Sequence, residues 1–255
     1  VMRGGPGTGS ISGAQMDYLQ ATRGGGHGGI RLLIFAPSTV QEAVDLVYEA
    51  FDKSWEYMNP CLVLADGFIG SIMEPVQLPP MKEWERKEFP IYPTRFFTNN
   101  PSRRMCATMI VNESEQEKWN IVQAARYKKI ADNEVRVEEY MTDDAEYLIT
   151  AYGTSARVAK SAIRILREKG IKAGLIRPIT LWPFPYETLR KLDPKQVKKI
   201  LCLELSIPAQ LVEDIRMGVE GRIPVYTYGR SAGNIFTAEE VAEQVENLVN
   251  GTAGR

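Results

Sequence analysis

The sequence has no long hydrophobic run and no excess of charge of either sign. Its longest apolar runs, at residues 32–37 and 61–65, are far shorter than the roughly 20 residues that cross a bilayer. Lysine and arginine number 31 against 32 acidic residues, so the net charge of −1 predicts no general attraction to nucleic acid or to anionic lipid. With 44% hydrophobic and 25% charged residues, the composition is typical of a soluble globular protein of one or two domains.

Cysteine and histidine are scarce as well. Cys61, Cys106 and Cys202 lie far apart without a Cys-x-x-Cys pair, and His27 is the only histidine. Zinc sites and iron–sulfur clusters need about four ligands, usually in close pairs, so we expect this chain to hold neither. Cys61 and Cys202 lie in apolar strand-like runs and are typical of small buried hydrophobes. The sparse, odd count favours a reducing cytoplasmic location over a disulfide scaffold.

The N-terminus shows no secretory signal, because residues 1–6 lack a basic stretch followed by an apolar one. The sequence begins at Val1 rather than at a methionine, on what looks like the end of a strand. We therefore expect that an N-terminal portion precedes Val1.

The first part of the chain has the pattern of a strand, a helix and a second strand. The apolar run at 32–36 predicts a buried strand. Thr39 and Glu42 have the spacing of a capping box, in which the hydroxyl and the carboxylate satisfy free amides at a helix start. Apolar residues then recur at helical spacing, and the run 61–65 predicts a second buried strand. This order predicts a parallel unit with a right-handed crossover.

The rest of the chain divides into a proline-rich stretch and a second α/β region. Six prolines between residues 75 and 101 exclude a long regular element there, and the charged stretch 115–132 predicts one helix. Strands are predicted at 147–152, 171–176, 199–205 and 224–228. A turn and N-cap at 153–155 precede a helix through Lys169, and further helices are predicted at 186–192, 209–219 and 238–249. The alternation predicts the α/β class, with a mostly parallel sheet covered by helices on both faces.

A glycine-rich segment at residues 4–10 invites a phosphate-binding interpretation that its spacing does not support. A serine stands where a P-loop needs its lysine, and the third glycine of a dinucleotide-binding fingerprint is absent. A tight turn whose glycines reach positive φ is the simpler interpretation, and it would let Arg3 and nearby amides approach a ligand. A guanidinium at that place suits a carboxylate or a phosphate.

A second glycine-rich segment, residues 24–29, contains His27. A lone histidine beside glycines is weak evidence for a metal site, which needs further ligands. Because its charge can switch near neutral pH, a substrate contact or proton shuttle stays open beside a solvated loop histidine. Asp66 and Glu74 follow a strand, and two interpretations of them also stay open: a position near a ligand, or a capping or solvated role.

A set of short motifs covers nearly the whole chain, with the proline-rich stretch least clear. The motifs are residues 3–9 (RGGPGTG), 15–28 (QxDYxQATRGGGHG), 36–42 (APSxVQE), 64–76 (LADGxxGxxMEPV), 134–140 (EVRVEEY), 151–157 (AYGTxAR) and 177–185 (RPITLWPFP). Together they resemble the alpha subunit of 2-oxoacid:ferredoxin oxidoreductases, most of all the 2-oxoisovalerate and 2-oxoglutarate types. The last motif is the most distinctive, and its prolines and aromatics favour packing at an interface over chemistry.

The resemblance implies an activity and a domain organisation. Enzymes of this family use thiamine diphosphate to decarboxylate a 2-oxoacid oxidatively, pass electrons singly through iron–sulfur clusters to ferredoxin, and release acyl-CoA. Residues 1–79 would be the later part of a pyrimidine-binding domain, and 80–141 an arm with a linker helix. Residues 142–255 would be a transketolase C-terminal-like three-layer domain with a mostly parallel sheet.

The resemblance also implies cofactors and partners. Thiamine diphosphate would be shared with a beta subunit, while magnesium and an iron–sulfur cluster would lie on partner subunits rather than on this chain. The absence of a Cys-x-x-Cys pair agrees with that division. Expected partners are the beta and the gamma or delta subunits, ferredoxin, the 2-oxoacid and CoA, in a dimer of heteromers.

Site residues follow from the same resemblance. Arg3 matches the family arginine that binds the 2-oxoacid carboxylate, and His27 is expected as a second substrate contact. Gly5 and Asp17 are expected at the cofactor. No catalytic acid or base and no metal ligand is expected here, since the family's activating glutamate and its pocket threonine belong to an earlier stretch of the subunit. Two rivals stay open: a noncatalytic docking module that binds a partner subunit, and a nucleotide-binding protein that ATP or NAD would stabilise.

Overall fold

The structure is a computed structural model that describes residues 1–25, 28–83 and 109–252. Val1–Leu78 and Ile130–Arg255 fold together as one unit, and Pro79–Lys129 form a second. The strands are β1 (Arg3–Gly4), β2 (Ser10–Gly13), β3 (Leu33–Phe35), β4 (Cys61–Val63), β5 (Val137–Tyr140), β6 (Tyr147–Thr150), β7 (Ala173–Pro178), β8 (Thr180–Trp182), β9 (Lys199–Glu204) and β10 (Val225–Gly229). The helices are α1 (Tyr18–Thr22), α2 (Val40–Tyr57), α3 (Glu113–Asn133), α4 (Gly153–Glu168), α5 (Tyr186–Arg190), α6 (Val212–Val219) and α7 (Ala238–Asn250).

The first unit contains two larger sheets. The three-stranded sheet has the order β4-β3-β8, with β3 and β4 parallel and joined by α2. The five-stranded sheet has the order β10-β9-β6-β7-β5, and its first four strands are parallel. The predicted α/β class and mostly parallel sheet are confirmed. The antiparallel edge strands β5 and β8 were not predicted, because each is defined by a partner distant in the sequence.

Helices cover the five-stranded sheet on both faces. Along β6, Leu148 belongs to one apolar cluster and Ile149 to the other, as the alternation of side chains along a strand requires. Ile149 packs with apolar residues of α4 and α7, whereas Leu148 packs with residues of α5 and α6 and with part of the three-stranded sheet. The larger core therefore lies around the five-stranded sheet.

The helix α2 begins at its predicted cap but departs from the predicted capping box. Thr39 Oγ1 accepts a hydrogen bond from the Glu42 amide at 3.0 Å. The Glu42 carboxylate turns instead to Ser38, whose amide and hydroxyl donate to it at 2.7 and 3.0 Å. The apolar stripe of α2 is partly open, since Val47 is 47% and Phe51 67% exposed.

The second unit contributes most of α3, which confirms the helix predicted at 115–132. Trp119 and Val122 on this helix are about half exposed, at 45% and 52%. Much of the proline-rich stretch, together with Cys106, lies outside the described residues. Within the described ranges, no helix has the length and apolar character needed to cross a membrane.

Candidate functional site

The first glycine-rich segment forms a β-hairpin. Strands β1 and β2 pair antiparallel, with Arg3 opposite Gly13 and Gly4 opposite Ser10. Gly9 closes the turn at φ 48°, where a Cβ would lie 1.9 Å from the Gly4 carbonyl oxygen. No other residue fits there, and the predicted tight turn with positive φ is confirmed.

Arg3 lies exposed on this hairpin, and its guanidinium folds back onto its own turn. Nη2 donates to the Gly7 carbonyl at 2.7 Å, and Nη1 donates to the Thr8 carbonyl. A guanidinium has five N–H donors, so further donors remain for a carboxylate. Gly5, partly buried, belongs to the same turn.

Asp17 occupies a different position, at the start of α1, where its side chain makes no capping hydrogen bond. It borders an open cleft of about 380 Å³ whose lining residues are Asp17, Gln20, Ala21, Gly24, Gly25, Leu32, Leu62 and Leu64. Arg3 and Gly5 are not among the described residues that line this cleft. The described chain thus groups Arg3 with Gly5 and places Asp17 apart, while His27 lies outside the described residues.

The helix α1 beside the cleft is anchored to the five-stranded half of the unit. The Tyr18 hydroxyl donates to Asp214 Oδ2 at 2.6 Å, and Arg23 forms an ion pair with the same oxygen at 3.0 Å. The Leu19 amide donates to Gln210 Oε1 at 2.8 Å. Burial, reinforced by Asp214, raises the pKa of Tyr18 well above its usual value, so this phenol stays protonated as a donor.

Asp66 is a capping carboxylate that acts across the two sheets. It is fully buried and accepts hydrogen bonds from the Thr154 amide at 2.8 Å and the Thr154 hydroxyl at 2.6 Å. These groups belong to the first turn of α4, whose own N-cap residue, Tyr152, offers no side-chain bond. The capping interpretation of Asp66 is therefore confirmed.

Glu74 also has a structural partner. Its carboxylate accepts from the Val40 amide at 3.2 Å and pairs with Arg157 at 2.6 Å. The hydrogen bond from Arg157 lowers the pKa of Glu74. Its contacts are those of a capping and ion-pairing residue.

The distinctive motif at residues 177–185 joins the two sheets, because it runs from β7 into β8. Arg177 is 1% exposed and forms ion pairs with Glu42 at 2.5 Å and with Glu138 at 2.7 Å. Burial tends to raise the pKa of Glu42, but hydrogen bonds from Arg177 and Ser38 outweigh it and lower that pKa. The motif therefore packs within this chain, while its predicted role at a subunit interface stays a prediction.

One buried carboxyl group was not anticipated from the sequence. Glu204, at the end of β9, is fully buried and accepts from the amides of Gln210 and Leu211 at 2.5 and 3.0 Å and from the Tyr152 hydroxyl at 3.3 Å. Burial nevertheless raises the pKa of Glu204 to about 7. A glutamate inside an apolar strand was the available signal in the sequence.

Comparison with known proteins decides the family. Residues 1–142 match the thiamine diphosphate-binding domain of pyruvate flavodoxin/ferredoxin oxidoreductase, and residues 145–241 match core domain II of pyruvate:ferredoxin oxidoreductase. The chain belongs to the 2-oxoacid:ferredoxin oxidoreductase family. The relatives that it matches are named as subunits of oxidoreductases, and the predicted resemblance is confirmed.

The relatives and the solved structures agree with this assignment. The ketoisovalerate oxidoreductase subunit VorB of Methanothermobacter thermautotrophicus is 40% identical over 249 residues, which cover 97% of this chain and 69% of that protein. The 2-oxoglutarate synthase subunit KorA of Archaeoglobus fulgidus is 30% identical over 253 residues, which cover 96% of this chain and 69% of that protein.

Two solved structures share the fold. A 2-oxoglutarate:ferredoxin oxidoreductase from Magnetococcus marinus, with 2-oxoglutarate, coenzyme A and succinyl-CoA bound, has a TM-score of 0.77 at 22% identity and covers 97% of this chain and 47% of that one. An inactive beta4 tetramer of a split-gene transketolase has a TM-score of 0.52 at 14% identity and covers 93% of this chain and 62% of that one. The predicted likeness to the transketolase fold is confirmed.

Proposed function

We propose that the chain is the alpha-type subunit of a thiamine diphosphate-dependent 2-oxoacid:ferredoxin oxidoreductase. The reaction converts a 2-oxoacid and CoA into acyl-CoA and CO₂, and its two electrons pass singly to ferredoxin. The match to VorB at 40% identity over 97% of the chain carries this proposal. The identity to KorA subunits of 2-oxoglutarate synthases is lower, at 25–30%. We therefore assign the branched-chain 2-oxoisovalerate as the preferred 2-oxoacid and 2-oxoglutarate as the alternative.

The proposal includes a division of labour with partner subunits in the cytoplasm. The beta subunit shares thiamine diphosphate with this chain, and partner subunits hold magnesium and the iron–sulfur clusters. The spacing of the three cysteines supports this, because the sequence offers no Cys-x-x-Cys pair to ligate a cluster. The complete enzyme is a dimer of heteromers that also contains the gamma or delta subunits.

The described residues suit one end of thiamine diphosphate and not the other. The residues that line the cleft at Asp17 include three leucines and two polar residues, Asp17 and Gln20. That donor set fits a flat ring with a hydrogen-bonding edge, such as the aminopyrimidine. The cleft has no lysine or arginine among its described lining residues to pair with the charge of the diphosphate. Asp17 is accordingly proposed as a cofactor contact, and Gly5 keeps the proposed role that its motif implies.

Arg3 is proposed to bind the carboxylate of the 2-oxoacid, with His27 as a second contact. Its exposed guanidinium, already oriented by two carbonyls of the turn, can present a fork of N–H donors to two carboxylate oxygens. Thiamine diphosphate, when bound, supplies the electron sink for loss of CO₂. The contribution of Arg3 is to orient the substrate, so that the bond to the carboxyl carbon is held in the geometry in which it breaks.

The proposed domain boundaries are those of the sequence analysis, 1–79, 80–141 and 142–255. The change of matching family domain between residues 142 and 145 supports the second boundary. The separate unit Pro79–Lys129 supports an arm between the two domains.

The test uses the complete enzyme, reconstituted from the full-length subunit and its partners. We expect 2-oxoisovalerate to reduce a viologen dye in the presence of CoA. Arg3→Ala is expected to lower kcat/KM about 10- to 100-fold, mainly through KM, because it removes hydrogen bonds to a charged group. Arg3→Lys should lose less, since it keeps the charge but not the fork.

Arg190→Ala is the matched control, because Arg190 is an exposed arginine that pairs with Glu187 and Glu220. An unchanged kcat/KM for Arg3→Ala would reject the role of Arg3. An assembled complex that reduces no dye with any 2-oxoacid would favour the noncatalytic docking module.

A further inference from the structure

The carboxyl ends of β6 and β9 form the switch point of the five-stranded sheet. These two strands are neighbours, yet the chain continues from β6 to β7 on one side and from β9 to β10 on the other. In open α/β sheets the crevice at such a point is the usual place for a ligand. Here a side chain from the other half of the unit, Gln15, occupies that crevice.

Gln15 is fully buried and uses its whole hydrogen-bonding capacity. Its Nε2 donates to the Tyr152 carbonyl at 2.9 Å and to Asp66 Oδ2 at 3.3 Å. Its Oε1 accepts from the Leu205 amide at 2.9 Å and from the Ser155 hydroxyl at 2.7 Å. One amide thus bridges the segments that follow β6 and β9, which no ordinary core residue would do.

Asp66 completes the same buried contact. Beside its two bonds to Thr154, it accepts from the Ile69 amide at 3.1 Å. Gly153 lies between the two side chains at φ 56°, and a Cβ there would approach Asp66 Oδ2 to 2.5 Å and Gln15 Nε2 to 2.8 Å. The first turn of α4 is therefore shaped to receive Gln15 and Asp66 together.

Both residues are linked to the hairpin that carries Arg3. Gln15 lies two residues after Gly13, which is the partner of Arg3 in the β1–β2 register. Asp66 forms a parallel bridge with Met2, the residue before Arg3. In that bridge the Met2 amide donates to the Ala65 carbonyl at 2.7 Å. The hairpin is thus held at its beginning by the Asp66 segment and at its end by Gln15.

We propose that Gln15 and Asp66 are positioning residues for the substrate arginine: they fix the Arg3 hairpin against the carboxyl ends of β6 and β9. The crevice that would hold a ligand in another α/β sheet is used here to fix that hairpin. The part of this proposal that concerns substrate binding rests on the proposed function of Arg3.

The test compares Gln15→Ala and Gln15→Glu with the wild type in the complete enzyme. Gln15→Glu keeps the length of the side chain but puts a second carboxylate beside Asp66 in place of the donor. We expect amides of Ser10–Gly13 to exchange hydrogen for deuterium about tenfold faster in both variants. We also expect KM for the 2-oxoacid to rise about tenfold, while kcat changes less than threefold.

Two further variants keep the test decisive. Gln116→Ala, on α3, is the control and should change neither exchange nor KM. If Gln15→Ala fails to fold, Ser155→Ala takes its place, because it removes a single donor to Gln15. It should raise the exchange rates and KM in the same direction but by less.

Arg3→Ala, measured alongside, separates this proposal from the proposed function. If Arg3→Ala raises KM while Gln15→Ala loosens the hairpin without changing KM, the positioning role is wrong and the function of Arg3 stands. If Arg3→Ala leaves KM unchanged, the substrate part of both proposals is wrong, and the exchange rates alone decide whether Gln15 holds the hairpin. Unchanged exchange in both Gln15 variants would overturn the proposal in every case.

Discussion

The two larger sheets of the first unit differ in how completely they are covered. Every residue of β9 after Lys199 is buried, and helices lie on both faces of its sheet. In the three-stranded sheet, β4 is half-buried at all three positions, and α2 leaves Val47 and Phe51 largely exposed beside it. Burial of apolar surface therefore stabilises the interior strand β9 more than the edge strand β4.

Polar contacts join the two sheets. Arg177 with Glu42, Asp66 with Thr154, and Gln15 with Leu205 all cross from one half of the unit to the other. Paired buried polar groups fix relative geometry more than they add stability, although Arg177 Nε makes no hydrogen bond within the described residues. The three-stranded half is thus held in a defined position, which is what the proposed substrate-binding role of the Arg3 hairpin needs.

Substitution of one leucine in each sheet should give the largest difference. Leu203→Ala in β9 removes a fully buried side chain and is expected to lower the free energy of unfolding by about 3–5 kcal/mol. Leu62→Ala in β4 removes a half-buried one and should cost about 1 kcal/mol. Urea unfolding of the two variants measures both values. Equal losses would show that the three-stranded sheet is as well packed as the other.

The sequence allows the parallel strands and the longer helices of both halves to be predicted, because hydrophobic periodicity is a local property, whereas β5 and β8 depend on distant partners. The helix-capping role of Thr39 was predictable for the same reason, since donor and acceptor lie three residues apart. The ion pair between Glu42 and Arg177 was not predictable, because Arg177 lies 135 residues away in the sequence. Periodicity also predicts the apolar stripe of α2 without showing what covers it.

Site residues were predictable only where a motif carried them. Arg3 and its glycine turn stand in a distinctive motif, and the structure places them together on one hairpin. Gln15 carries no local signal of its role, because each of its four side-chain partners lies 51 or more residues away. Such a residue looks like any polar residue before a helix until the fold brings its partners together.

A smaller effect is expected from the buried carboxyl group of the five-stranded sheet. The pKa of Glu204 in the folded protein is about 7, against 4.5 ordinarily, so the folded state holds a proton between these values that the unfolded state has released. The associated stability is fully present below pH 4.5 and is lost as the pH rises through 7. The loss is up to about 3 kcal/mol, since one pKa unit corresponds to about 1.4 kcal/mol.

Glu204→Gln removes this titration, so the free energy of unfolding of the variant should rise relative to that of the wild type as the pH rises from 5 to 8. Unfolding free energies at several pH values measure the difference. Glu243→Gln, an exposed residue on α7, is the control and should track the wild type. Parallel curves for Glu204→Gln and the wild type would show that the pKa of Glu204 in the folded protein does not differ from its ordinary value.

The smallest effect concerns the two cysteines, one in each sheet. Burial, reinforced by Glu134, raises the pKa of Cys61 from 9.0 to about 11, so its thiolate at pH 8 is about a hundredfold rarer than that of a free cysteine. Cys61 is half-buried and should react slowly with iodoacetamide in the native protein, about tenfold faster for each unit of pH. Cys202 is fully buried and should react only through unfolding, so low urea should accelerate its labelling and not that of Cys61. Mass spectrometry of the two peptides measures both rates, and a native rate for Cys202 that equals that of Cys61 and does not respond to urea would show that Cys202 is accessible without unfolding.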